Sequence, residues 1–262
     1  MNYATFAVKI TILDRKIKVS AVSYLNTKPL LYGIERHPLI DTIELVLEYP
    51  ALIAQHLRED TVDVGLVPVA AIPSIPNAHI ISDYGIGADD KVASVCIFSK
   101  VPIDQIRRVY LDYQSRTSVR LAQVLLKHYW QQEVTYLQAP ENYIGLIDGD
   151  TAGVIIGDRA LEQLEHFPYI YDLAEHWKLH TGLPFIFAAW VANKALPESF
   201  TRQFNEANAS GLAHLDAVIA ATPYPAYDLN IYYKENIRYF LDEDKRKGLS
   251  LFLEYLKEPS IV

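Results

Sequence analysis

Strand-like and helix-like stretches alternate between residues 17 and 69, and this alternation is the strongest constraint on the fold. Apolar runs typical of buried strands cover residues 17–24, 43–49 and 62–69. Between them, residues 29–37 and 51–58 carry apolar side chains at helical spacing. Parallel strands joined by helices almost always make right-handed crossovers, so we expect these three strands side by side in one sheet. The chain is therefore predicted to have an α/β fold.

The alternation lapses at two places, which predicts that the chain crosses twice between two lobes. Residues 78–86 and 92–98 are predicted as consecutive strands with no helix between them, after which strand and helix alternate again. A further strand-like run, residues 185–191, precedes the C-terminal part of the chain. The predicted lobes are residues 1–98 with 189–262, and residues 99–188.

The C-terminal part of the chain is predicted to be helical and to complete the first lobe. Apolar side chains recur there at helical spacing, for example at Ile237, Phe240 and Leu241. Two lobes, the first built from both ends of the chain, resemble the type II periplasmic-binding-protein fold. In that fold the ligand binds in the cleft between the lobes.

The charge and cysteine content exclude several classes of function. The chain has 32 acidic and 24 basic residues, a formal net charge of -8, whereas a nucleic-acid partner requires a concentrated basic surface. Cys96 is the only cysteine, so no internal disulfide or thiolate metal cluster can form. No apolar run approaches the ~20 residues that cross a bilayer, and residues 1–16 lack a signal-peptide pattern. We therefore expect a cytoplasmic protein that binds neither nucleic acid nor membrane.

A polar turn follows the first predicted strand and is the first candidate site. Tyr24, Asn26 and Thr27 interrupt the apolar run, and Pro29 suits the first turn of the next helix, with Thr27 as its N-cap. Ligands of open α/β sheets bind beyond the carboxyl ends of the strands, where this turn is expected. The alternative is that Asn26 only makes an ordinary turn.

A second candidate is the hydroxyl-rich turn that precedes the helix beginning near residue 118. Ser115, Thr117 and Ser118 offer hydroxyl donors and Arg116 a cation, beside the unpaired N–H groups of a helix N-terminus. This combination is typical of an anion site, such as one for a carboxylate. The alternative is a plain N-cap by Ser115 or Thr117 with an exposed arginine.

Three further residues are candidates because of their positions beside predicted strands. Ser94 lies at the first crossing and would face the cleft, although a serine in a strand is more often a spacer. Gly157 follows a buried strand and allows a ligand close to the backbone, and Asp158 can meet a substrate hydroxyl. For Asp158 the alternative is a helix cap.

Other chemistries have little support in the sequence. His176 and His180 are four residues apart, as on one helix face, but the H-E-x-x-H order is missing and no third metal ligand is evident. No Walker A loop, G-x-G-x-x-G fingerprint or G-x-S-x-G elbow occurs. We expect no metal and no cofactor.

The stretch Ser23-Tyr24-Leu25-Asn26-Thr27-Lys28-Pro29-Leu30 resembles the N-terminal signature of the chorismate dehydratases of menaquinone biosynthesis by the futalosine route. Stretches at residues 63–68, 115–118, 156–160 and 181–190 resemble that family's pattern too, in the expected order. Each short match is weak alone, but the ordered set is specific. The resemblance spans residues 19–190.

The resemblance implies a cofactor-independent hydro-lyase that removes water from chorismate to give 3-[(1-carboxyvinyl)oxy]benzoate. It implies that the substrate's own enolpyruvyl carboxylate takes the ring proton, that Asn26 orients the substrate and that Asp158 contacts or protonates the leaving hydroxyl. Tyr24, Thr27 and Gly157 would also contact the substrate. The implied carboxylate-holding residues are Ser94, Ser115, Arg116, Thr117 and Ser118.

Two alternatives to this function remain open. One is a small-anion binding or sensor protein of the same fold, since fold alone does not determine function. The other is the later 1,4-dihydroxy-6-naphthoate synthase step of the same pathway. In each case the partner is a small molecule, and the protein is expected to be a monomer or homodimer.

Overall fold

Two β-sheets, one of six strands and one of five, organise the computed structural model, which describes residues 15–259. Short 3₁₀ and π-helical turns connect several of its elements. The strands are β1 (Ile17–Ala21), β2 (Ile43–Leu47), β3 (Val64–Pro68), β4 (His79–Ala88), β5 (Val95–Ser99), β6 (Arg108–Leu111), β7 (Thr135–Gln138), β8 (Thr151–Ile156), β9 (Tyr169–Asp172), β10 (Phe185–Ala192) and β11 (Arg238–Phe240). The helices are α1 (Lys28–Arg36), α2 (Pro50–Arg58), α3 (Arg116–Val124), α4 (Asp158–Leu161), α5 (Leu173–Thr181), α6 (Glu198–Ala213), α7 (Leu215–Ala220), α8 (Leu229–Ile231) and α9 (Glu243–Tyr255).

The first sheet has the strand order β11-β4-β10-β3-β1-β2. Strand β1 pairs in parallel with β2 and β3, as the β-α-β-α-β pattern predicts. The returning strand β10 lies antiparallel between β3 and β4, and β11 pairs antiparallel with β4 at the edge. Val19, Val64 and Val67 are fully buried in this sheet, which accounts for the near-continuous apolar runs of its central strands.

The second sheet has the strand order β7-β6-β8-β5-β9. Strand β6 pairs in parallel with β7 and β8, whereas β5 lies antiparallel between β8 and β9. Both sheets carry helices, so the predicted α/β class is confirmed. Among residues 15–259, no helix is long and apolar enough to cross a membrane.

The chain leaves the first sheet after Ala88, enters the second at Val95 and returns at Phe185. The predicted lobe boundaries, 98/99 and 188/189, therefore fall inside β5 and β10, each of which pairs within a single sheet. The division into lobes stays a prediction. Residues 1–14 and 260–262, at the two ends of the predicted first lobe, lie outside the described residues. They include most of residues 1–16, which are predicted to lack a signal-peptide pattern.

The predicted helical stripe at Ile237, Phe240 and Leu241 is wrong, because β11 occupies this segment. Arg238 pairs with Gly87, and Phe240 with Tyr84. Three apolar residues at helical spacing are too few to specify a helix, and the open edge of β4 provides backbone partners for a strand.

Helix α1, which follows the first candidate turn, packs unusually close to α6. A Cβ atom on Gly33 would lie 2.0 Å from the Ala207 carbonyl oxygen, and one on Gly211 would lie 1.9 Å from the Pro29 carbonyl oxygen. The backbones of the two helices can approach this closely only because both positions are glycine. This contact fixes the start of α1 and hence the turn before it.

Candidate functional site

A cavity of about 630 Å³, measured with its opening, lies between the two sheets. Its walls are mainly apolar and come from both sheets and from the crossing between them, and they include Val22, Leu66, Ile86, Val95, Ile156 and Phe187. The polar lining residues are Tyr24, Asn26, Thr27, Ser94, Gln114, Ser115 and Ser118.

Most of the predicted site residues line this one cavity. The first candidate turn and the hydroxyl-rich turn both contribute to it, although they follow strands of different sheets and are far apart in the sequence. Arg116, Thr117 and Asp158 are not part of the lining. The predicted residues in the lining are Tyr24, Asn26, Thr27, Ser94, Ser115, Ser118 and Gly157.

The first turn forms because β1 ends at Ala21 and the chain enters a 3₁₀ turn that runs directly into α1. The Thr27 N–H donates to the Tyr24 carbonyl at 3.0 Å. The Thr27 hydroxyl donates to the Asn26 side-chain oxygen at 3.2 Å instead of capping α1 as predicted. Because this bond takes the Asn26 oxygen, the amide N–H groups of Asn26 are left to bind a ligand oxygen.

Ser115 caps helix α3, which agrees with the plainer interpretation of its turn. Its Oγ accepts from the Ser118 N–H at 3.2 Å and donates to the Ser118 Oγ at 2.9 Å. Thr117 is buried, and its Oγ1 accepts from the Ala70 N–H at 3.1 Å, outside the cavity. Arg116 is exposed. Neither Arg116 nor Thr117 is part of the cavity lining, so their contacts with a substrate carboxylate stay predictions.

Gly157 and Asp158 join the two sides of the cavity. Gly157 has φ +63° and ψ -147°, a conformation that favours glycine, and its N–H donates to the Ser94 carbonyl at 2.7 Å. Asp158 makes no side-chain cap; its Oδ1 accepts from the Leu25 N–H at 3.3 Å. Burial raises the pKa of Asp158 above its ordinary value.

Ser94 is buried and lies one residue before β5, not inside the strand as predicted. The preceding Ala93 has φ +62°, a left-handed conformation that is costly for a residue with a Cβ. Asp172 stabilises it, because its Oδ2 accepts from the Val92 and Ala93 N–H groups at 2.9 and 2.7 Å. Burial raises the pKa of Asp172 to about 6.

Sequence reasoning missed an ion-pair network beside the cavity. Arg159 Nη2 donates to Asp112 Oδ2 at 2.6 Å and to the Gln114 side-chain oxygen at 3.1 Å. Because this bond takes the Gln114 side-chain oxygen, the amide N–H groups of Gln114, which lines the cavity, are left to bind a ligand oxygen. An aspartate directly after a buried strand, with Gln114 two residues on, was the available signal in the sequence.

Tyrosines from the C-terminal segment support the site, which sequence reasoning also missed. The Tyr233 hydroxyl donates to the Leu25 carbonyl and that of Tyr239 to the Asn26 carbonyl, both at 3.0 Å. The Tyr224 hydroxyl donates to the Asp158 carbonyl at 2.9 Å, and the Tyr232 hydroxyl to Ser94 Oγ at 2.8 Å. No local pattern in the sequence indicates such distant partners.

The polar groups that line the cavity are amides and hydroxyls. Among the described residues, the lining contains no Asp, Glu, His, Lys, Arg or Cys. Such a site can hold and orient an oxygen-rich molecule through hydrogen bonds, but it offers no ordinary general base. The described residues also contain no group of three or more His, Cys, Asp or Glu suited to a metal ion. His176 and His180 instead bond to the Asp172 carbonyl and the Tyr255 hydroxyl.

The fold is similar to that of periplasmic binding proteins. A protein from Archaeoglobus fulgidus superposes with a TM-score of 0.69 at 15% identity, over 94% of this chain and 98% of that chain. The periplasmic aliphatic sulphonate binding protein of Escherichia coli superposes with a TM-score of 0.58 at 14% identity, over 94% of each chain. At these identities the likeness shows the fold alone, and it confirms the predicted two-lobed class.

Sequence comparisons identify the family. The chain is 28% identical to a chorismate dehydratase of Thermus thermophilus over 205 residues, which is 69% of this chain and 74% of that protein. It is also 28% identical to a chorismate dehydratase of Campylobacter jejuni over 229 residues, 85% of this chain and 86% of that protein. Because the family model described as menaquinone biosynthesis matches residues 17–258, the chain belongs to the menaquinone biosynthesis family.

Proposed function

We propose that this protein is a chorismate dehydratase, a hydro-lyase that converts chorismate into 3-[(1-carboxyvinyl)oxy]benzoate and water in the futalosine route to menaquinone. The observation that carries the proposal is the uncharged lining of the cavity, where Asn26 and Ser94 lie together. The two curated relatives named chorismate dehydratase support the choice of substrate.

The reaction needs a proton acceptor that the cavity lining does not offer. In the proposed step the ring C–H bond next to the hydroxyl-bearing carbon breaks, and its electron pair completes the aromatic ring as the hydroxyl C–O bond breaks. The enolpyruvyl carboxylate of the substrate accepts the ring proton and passes it to the departing hydroxide, which leaves as water, so the carboxylate is regenerated in the product. The gain of aromaticity makes the step strongly downhill, so correct orientation supplies much of the acceleration.

The residues have separate roles in this proposal. The free amide N–H groups of Asn26 orient the substrate, and the hydroxyls of Ser94 and Ser118 donate to its oxygens. The Ser115 hydroxyl donates to Ser118 Oγ, so Ser115 contributes by positioning the Ser118 hydroxyl. The apolar walls exclude water, which strengthens each of these hydrogen bonds. Asp158 holds the Asn26 turn in place through the Leu25 N–H. Its direct contact with the leaving hydroxyl stays a prediction.

The proposal includes a cofactor-free reaction, a monomer or homodimer, and a cytoplasmic location. Loss of water changes no oxidation state overall, so the chemistry requires no redox partner. The single, buried Cys96 suits a reducing compartment.

The test is to incubate purified protein with chorismate, without added metal or cofactor, and to follow the product by mass spectrometry and ultraviolet absorbance. We expect a product lighter by one water molecule, and a loss of at least about 100-fold in kcat/KM for Asn26→Ala. Asn142→Ala, an exposed asparagine outside the cavity lining, is the matched control. Binding of chorismate without turnover would indicate a sensor or carrier instead. Turnover of a cyclic futalosine derivative alone would indicate the later enzyme.

A further inference from the structure

The side chain of Tyr232 reaches Ser94 from outside the cavity. Tyr232 is fully buried at the start of a π-helical turn, Tyr232–Asn236, and its hydroxyl donates to Ser94 Oγ at 2.8 Å. Turns of this kind are often found at functional sites. Ser94, which lines the cavity, therefore has a hydrogen-bond partner that is not part of the lining.

The positions of the two hydrogens follow from the available acceptors. Among the described residues, Ser94 Oγ is the one hydrogen-bond partner of the Tyr232 hydroxyl. Because a buried donor without an acceptor is costly, the Tyr232 hydrogen must point to Ser94. The Ser94 oxygen then acts as an acceptor towards Tyr232, so its own hydrogen is left to point into the cavity.

We propose that Tyr232 is a positioning residue, whose hydroxyl fixes the Ser94 O–H as a hydrogen-bond donor towards an oxygen of the substrate. This inference rests on the proposed dehydratase function. The chain Tyr232 to Ser94 to substrate also strengthens the donor, because each hydrogen bond polarises the next.

Tyr232 acts by orientation and not as a proton source. Burial raises the pKa of Tyr232 far above its ordinary value, so the phenolate does not form in the physiological range. Tyr233 and Tyr239 differ from Tyr232 because they donate to backbone carbonyls, those of Leu25 and Asn26. They hold a turn, whereas Tyr232 orients a side chain of the cavity lining.

The experiment is a double-mutant cycle with Tyr232→Phe, Ser94→Ala and the combined variant, measured as kcat and KM for chorismate. We expect Tyr232→Phe to lower kcat/KM about tenfold, which corresponds to the loss of one hydrogen bond. Whichever of kcat and KM changes in Ser94→Ala should also change in Tyr232→Phe. In the Ser94→Ala background, Tyr232→Phe should cause no further loss. The pH profile should stay unchanged because the phenol does not titrate.

Controls separate positioning from a general loss of structure. Tyr227→Phe removes a hydroxyl that bonds to Asn236, from a ring in edge contact with Tyr232. We expect it to leave kcat and KM unchanged. The combined variant removes both polar partners together and so leaves none unpaired, which keeps it measurable if one single variant folds poorly.

The outcomes distinguish this inference from the proposed function. Equal losses from Tyr232→Phe in the two backgrounds would overturn the inference, and so would full activity of Tyr232→Phe. Failure of the unsubstituted protein to dehydrate chorismate would overturn the function itself, and the inference with it.

Discussion

The Asp158 carboxylate accepts a hydrogen bond from the backbone N–H of Leu25 at 3.3 Å and thereby links the two sides of the cavity. Asp158 follows a strand of the second sheet, and Leu25 follows a strand of the first. Next to them, the Tyr224 and Tyr233 hydroxyls donate to the carbonyls of the same two residues. The turn that carries Asn26 is thus held by Asp158, which follows a strand of the second sheet, and by Tyr233 of the C-terminal segment.

Asp158→Ala should lower kcat/KM for chorismate about tenfold, because the turn loses its link to the second sheet. Asp158→Asn keeps an oxygen acceptor for the Leu25 N–H and should retain most activity. Steady-state kinetics of the two variants test this. If Asp158→Asn were as impaired as Asp158→Ala, Asp158 would supply a charge or a proton to the reaction.

Thr117→Val should reduce stability by about 1–2 kcal/mol, because the buried Ala70 N–H loses its acceptor. The activity of the folded fraction should change little, since Thr117 is outside the cavity lining. Ser118→Ala should do the reverse and lower kcat/KM, with a smaller effect on stability. Urea unfolding and kinetics on both variants test this contrast. A large rise in KM for Thr117→Val would restore its predicted contact with a carboxylate.

Sequence reasoning found the parts of the site that are local in the chain. A buried strand, a polar turn and a helix are visible within residues 17–37, and the carboxyl ends of parallel strands meet at one edge. The same reasoning could not find Tyr232, which contacts Ser94 across 138 residues of sequence. Its partner depends on the packing of the C-terminal segment, for which the helical spacing gave a wrong prediction at β11.

The sequence also could not separate residues of one turn by the direction they face. Ser115 and Ser118 line the cavity while Thr117, between them, points to Ala70. All have hydroxyls at a helix N-terminus, so composition and spacing give them the same expected role. Only the packing of α3 against the turn after β3 distinguishes them.

Gln114→Glu should raise KM for chorismate at least about tenfold. The glutamate carboxylate would keep the Arg159 contact with one oxygen and present the other to the cavity, where it repels a dianionic substrate. Stability should be maintained because the pair with Arg159 becomes an ion pair. Steady-state kinetics and thermal unfolding test this. Gln105→Glu adds the same charge at an exposed position and should leave KM unchanged.

Gly33→Ala should destabilise the protein by about 3 kcal/mol, because the new methyl group would overlap the Ala207 carbonyl and force α1 away from α6. Since α1 begins directly after Thr27, kcat/KM should also fall in the folded protein. Gly145→Ala is the matched control, because no atom lies within 4 Å of its added Cβ. Equal stability of the two variants in urea unfolding would contradict the close helix contact.

Asp172 should give the protein a pH-dependent stability of unusual sign. Burial raises its pKa to about 6 in the folded protein, from about 4 for an ordinary aspartate. The folded state therefore binds more protons than the unfolded state between these values, so this contribution is fully present below pH ~4 and is lost as pH rises towards 6. Asp242 should make a contribution of the opposite sign. Burial alone would raise the pKa of Asp242, but hydrogen bonds from Lys245 hold this pKa below the ordinary value.

The measurement is urea unfolding between pH 3 and pH 7 for the protein, Asp172→Asn and Asp242→Asn. The stability difference between the protein and Asp172→Asn should shrink as pH rises from about 4 to 6, because only the aspartate loses a proton there. The difference for Asp242→Asn should grow as pH rises from about 3 to 4. Parallel curves for the protein and Asp172→Asn between about pH 4 and pH 6 would mean that the backbone N–H groups of Val92 and Ala93 keep Asp172 ionised over that range, despite its burial.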